Sequence, residues 1–92
     1  MRSMNARVTR PDDVLVRELD GESVLLNLAT ESYFGLDDVG TRMWVALMSS
    51  PSIEAACDAL LLEYEVEPER LKAEIGTFVE KLAEAGLVHV RE

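Results

Sequence analysis

The chain has 92 residues, 48% of them apolar and 29% charged, with 9 Lys and Arg against 18 Asp and Glu, one Cys and one His. That length holds one domain built on one core. A formal charge of -9 works against nucleic-acid backbones, which are bound through cations. A lone cysteine forms no intramolecular disulfide, and no apolar stretch approaches the ~20 residues of a membrane span. The N-terminal residues lead into no apolar run of the secretory type, so the chain is expected in the cytoplasm.

Charge is unevenly placed. Arg2, Arg7, Arg10 and Arg17 outweigh Asp12 and Asp13 at the start, whereas the rest of the chain is strongly acidic. Residues 1–12 show no periodicity and are expected as a flexible tail. Residues 13–92 are expected as a single domain.

Val14 to Leu19 reads as a strand, ended by Asp20-Gly21, a dipeptide suited to the positive φ angles of a type I′ hairpin turn. Glu22 to Leu28 reads as the return strand. Val24, Leu26 and Leu28 fall on one face, Leu25 and Asn27 on the other. Ala29 to Ser32 is a polar turn, and Tyr33 to Leu36 a short third strand. The first half is therefore an antiparallel meander.

After Asp37 the period becomes helical. Asp37 or Asp38 suits an N-cap for a helix with Val39, Met43, Trp44, Leu47 and Met48 on its apolar side. Ser49-Ser50-Pro51 stops it, and Ser52 caps a second helix with Ile53, Ala56, Cys57, Leu60 and Leu61 on one face. Glu67-Pro68 opens a third, whose stripe is Leu71, Ile75, Phe78 and Leu82, with Val79 beside it. Gly86 is its stop, and Leu87 to Val90 suits a short terminal strand. The expected class is α+β: a three-stranded antiparallel sheet followed by three helices.

Catalytic constellations are missing from the sequence. Cys57 lies among Ala and Leu on a core face, and His89 is one ligand where zinc requires three or four. The glycines form no phosphate or dinucleotide loop, and Glu63, Glu65, Glu67 and Glu69 fit a solvated helix entry. No catalytic residue, metal or cofactor is expected, and the protein is not expected to be an enzyme.

A binding surface remains. The third strand lies at a sheet edge, which is a template for a further strand. From composition alone Tyr33 and Phe34 are core residues at the sheet–helix seam. Alternation, however, turns only one of them inward. If this edge runs beside the third helix, a groove opens between the two. Gly76, in mid-helix, either tolerates its cost or admits a second backbone.

Val24-Leu25-Leu26-Asn27-Leu28, Thr30, Tyr33-Phe34-Gly35-Leu36-Asp37-Asp38-Val39-Gly40, Trp44 and Leu47 resemble the PqqD-like family. So do Glu65-Val66-Glu67-Pro68 and Leu82-Ala83-Glu84-Ala85-Gly86-Leu87. The resemblance spans residues 14 to 88. It implies a winged-helix-like domain that recognises the leader of a ribosomally made precursor peptide. The leader would pair with the third strand at Ser32, Tyr33, Phe34 and Gly35, facing Leu71, Ile75, Phe78, Val79 and Leu82 of the third helix.

Within that family the chain looks like the free-standing, lasso-peptide type. The implied partners are a leader of Tyr-x-x-Pro type, a separate cysteine-protease-like leader peptidase and a cyclase. The alternative in the family is a precursor carrier for a radical-SAM enzyme, as in quinone-cofactor biosynthesis. Outside that reading stand a winged-helix DNA-binding domain and a dimerisation domain. The third helix opposes DNA, since Arg70, Lys72 and Lys81 are outnumbered by Glu69, Glu74, Glu80 and Glu84.

Overall fold

The computed structural model describes residues 3–92; Met1 and Arg2, the first residues of the expected tail, lie outside the described residues. In chain order the elements are β1 (Arg7–Thr9), β2 (Val14–Leu19), β3 (Glu22–Asn27), β4 (Ser32–Leu36), α1 (Asp38–Ser49), α2 (Ile53–Leu61), α3 (Pro68–Glu84) and β5 (His89–Arg91). The class is α+β: β2, β3 and β4 form the expected three-stranded antiparallel sheet, and three helices follow.

Local chemistry accounts for the punctuation. Asp20 and Gly21 both take positive φ, 55° and 83°, as a type I′ turn requires. Asp37 caps α1 by accepting a bond from the Gly40 N–H at 2.8 Å, and Ser52 caps α2 by accepting from Ala55 at 3.0 Å. Pro68 opens α3, and Gly86 at φ 72° lets the chain turn away after it.

One sheet face carries the helices. Ser23, Leu25 and Asn27 of β3 point into the core, while Val24 and Leu28 remain exposed. The buried Ser23 hydroxyl bonds that of Thr41 at 2.7 Å, tying β3 to α1. The Asn27 side chain donates to the Gly86 carbonyl at 2.9 Å and accepts from the Ala29 and Thr30 N–H groups. One residue thereby fixes both the β3–β4 turn and the exit from α3.

The segment expected as a tail contains β1, which pairs antiparallel with β5 as a separate two-stranded sheet. Ala6 and Val8 are buried at 0% and 3% exposure. The Ala6 and Met4 carbonyls accept bonds from the Ile53 and Glu54 N–H groups, both at 2.9 Å. These are first-turn donors of α2 that have no partner inside the helix. Three-residue strands show no readable period, and the pairing joins opposite ends of the chain, so local pattern could not reveal it.

Candidate peptide-binding site

β4 is the edge. It pairs with β3 on one side, in the register Leu25 to Phe34 and Leu26 to Tyr33, and with no strand on the other among the described residues. An edge of this kind presents backbone N–H and C=O groups to an incoming strand. Alternation separates the two aromatics as expected: Phe34 is half-buried against the core, and Tyr33 is 77% exposed on the outer sheet face.

Beside that edge runs a groove of about 480 Å³. Phe34, Gly35, Leu36 and Asp37 form one wall; Glu74, Thr77, Phe78 and Lys81 form the other. Those α3 positions are spaced i, i+3, i+4 and i+7, a single helix stripe. Val39, Gly40 and Met43 of α1 close one end. A Cβ at Gly40 would stand 3.3 Å from the Asp37 carboxylate and 3.4 Å from Leu36 Cβ, so glycine allows the first turn of α1 to sit tightly against the end of β4. A second hollow of about 620 Å³, lined by Arg17, Glu22, Val24 and Gly35 among others, lies at the β2–β3 turn end of the sheet.

The expected site residues divide. Phe34, Gly35 and Phe78 line the groove, and Ser32 and Tyr33 belong to the open edge strand without facing the groove. Leu71, Ile75, Val79 and Leu82 do not present themselves to it: they are buried at 4%, 0%, 0% and 0% exposure and form the core face of α3. The physical reason is one of helical phase. The core stripe is centred on Val79, which rotates Phe78 to the groove side. Sequence reasoning missed Glu74, Thr77 and Lys81, whose common spacing with Phe78 was available, and it put Val39 on the apolar side of α1, where the structure leaves it 43% exposed.

The remaining chemistry-bearing residues lie apart from the groove. Cys57 is fully buried, and burial pushes its thiol above the ordinary value, against a smaller opposing effect of Lys72. His89 is exposed on β5. Arg42 pairs with Glu63, and that carboxylate, then the Tyr64 side chain, raise the guanidinium further. Among the described residues no group of three or more His, Cys, Asp or Glu is arranged to hold a metal ion, and no helix is long and apolar enough to cross a membrane.

Residues 22–88 match the family model described as Coenzyme PQQ synthesis protein D (PqqD). No curated protein matches the chain. Among solved structures it is similar to TbiB1 in complex with the TbiA(beta) leader peptide, at 36% identity and a TM-score of 0.83, covering 88% of this chain and 94% of that one. It is also similar to lasso peptide synthetase B1 complexed with the leader peptide, at 26% identity and a TM-score of 0.78, covering 92% and 98%. With the family model spanning both walls of the groove and the fold shared along nearly the whole length, this chain belongs to the PqqD family.

Proposed function

We propose that the protein is a non-catalytic recognition protein of lasso-peptide biosynthesis, acting in the cytoplasm, which binds the leader of a ribosomally made precursor. The observation that carries this reading is the unpaired edge of β4 lying alongside a groove walled by α3, in a fold shared with two leader-bound structures. The leader adds as a strand beside Ser32–Leu36. Backbone hydrogen bonds supply affinity, and alternate side chains entering between Phe34 and Phe78 supply selection. Tyr and Pro of a Tyr-x-x-Pro element suit the Phe34 and Phe78 rings.

The bound precursor is then delivered to a separate leader peptidase and a cyclase. Docking of such an enzyme has a ready surface in the outer sheet face, where Leu15, Val24, Leu28 and Tyr33 are exposed. Tyr33 brings that face to the edge the leader would occupy. The second reading, a precursor carrier for a radical-SAM enzyme, is favoured by the description of the family model alone.

Fluorescence polarisation separates the two. Labelled peptides would be a leader with a Tyr-x-x-Pro element, its Tyr/Pro→Ala version and a precursor from a radical-SAM pathway. The expected result is tight binding of the first, with loss in the second. Binding of the third alone would transfer the protein to the alternative, and binding of none would contradict leader recognition.

A further inference from the structure

The groove does not end at the first turn of α1. Val39, Met43 and Glu74 also border a second cavity of about 190 Å³, completed by Leu60, Tyr64, Glu65, Val66 and Leu71. Its floor is apolar and firmly packed: Met43, Leu60 and Leu71 are 7%, 1% and 4% exposed. Its outer wall, Tyr64 and Val66, belongs to the connection between α2 and α3, residues 62–67. That connection is tied to α1 by the Arg42–Glu63 pair.

Size and charge restrict the occupant. Small-molecule and cofactor sites start at roughly 300 Å³, so this cavity suits one side chain rather than a free ligand. Glu65 and Glu74 stand at its rim, and no cation lines it. Glu74 pairs with an exposed Arg70 at 3.3 Å, a contact of little strength. The direction of the chain supplies the route, because β4 runs through Asp37 directly into α1. The groove beside β4 shares Val39, Met43 and Glu74 with this opening, so a peptide strand paired with β4 and continued past Leu36 would meet it next.

We propose that this cavity is a second anchoring pocket. It takes one apolar side chain of the bound leader from outside the strand-paired segment, with a neighbouring Lys or Arg of the leader meeting Glu65 and Glu74. The proposal rests on the leader-binding reading and adds a specificity site to it. Recognition is then two-part, with strand pairing at β4 and a side-chain anchor held by α1, α3 and the α2–α3 connection.

An alanine scan of the TbiA(beta) leader, read by fluorescence polarisation against the wild type, Val66→Trp, Glu65→Lys and Phe78→Glu, tests both layers. The expected result is one apolar leader position outside the paired segment whose alanine weakens wild-type binding about tenfold. Val66→Trp, filling the pocket from its wall, should weaken the intact leader about equally and abolish the effect of that alanine. Glu65→Lys, on an exposed loop position, should weaken the intact leader at low salt without lowering the melting temperature. Wild-type affinity in Val66→Trp and Glu65→Lys, with binding lost in Phe78→Glu, would overturn the pocket and leave leader recognition standing. Absence of binding by the wild type, or full binding by Phe78→Glu, would remove the leader reading and the pocket with it.

Discussion

Phe78 and Val79 are adjacent in sequence and opposite in surroundings. Val79 is fully buried on the core side of α3, whereas Phe78 lines the groove. Placing a carboxylate in the core costs several kcal/mol, against a total stability of about 5–15 kcal/mol. Val79→Glu is therefore expected to lose its helical circular dichroism and its cooperative melt. Phe78→Glu should keep both and lose leader binding by about tenfold or more; a folded Val79→Glu would contradict this division of the helix. That five large apolar residues lie on α3 is plain in the sequence. Which of them face outward depends on the rotation of the helix against α2, and local pattern does not contain that rotation.

Cys57 gives a pH dependence at the same scale. Burial holds the folded thiol above the ordinary value of 9.0, so on raising the pH the unfolded chain ionises first. Above that value the folded state holds more protons than the unfolded state, and stability falls as pH rises. The expected outcome is a wild-type unfolding free energy that declines relative to Cys57→Ala from about pH 8 to about pH 10. Urea melts check it, and parallel pH profiles for the two proteins would contradict it.

Among the elements, β1 has the largest consequence for its length. It pairs with β5, buries Val8, and follows carbonyls that bond the first donors of α2. Removal of residues 1–9 should lower the unfolding free energy by roughly 3 kcal/mol or more, from lost Val and Ala burial and two orphaned helix donors. Denaturant titration measures this directly, and an unchanged midpoint would mean that β1 contributes nothing. The other elements were legible for local reasons: Asp20-Gly21 by its φ preference, Asp37 and Ser52 by their capping oxygens, Pro68 by its missing N–H. β1 has no such mark, because its partner lies some eighty residues away. Gly76 was legible as an oddity but not as to cause. A Cβ there meets no atom within 4 Å, so tight packing on a neighbouring helix does not explain it.

At the scale of the molecule, a formal charge of -9 surrounds a groove bordered by Asp37 and Glu74 with Lys81 alone in opposition. A Lys-rich leader should be drawn in by that field, and its association rate should fall about tenfold between low and high salt. Stopped-flow mixing tests this, with a flat salt dependence as the contrary result. Among the described residues the sheet has two free edges, β2 and β4, and of these β4 runs beside the groove. Hydrogen exchange of the backbone amides, with and without saturating TbiA(beta) leader, therefore tests strand addition most directly. The expected result is slowed exchange within Ser32–Leu36 with β2 unchanged. Protection confined to Val14–Leu19, or absent from both edges while the peptide is bound, would contradict binding at β4.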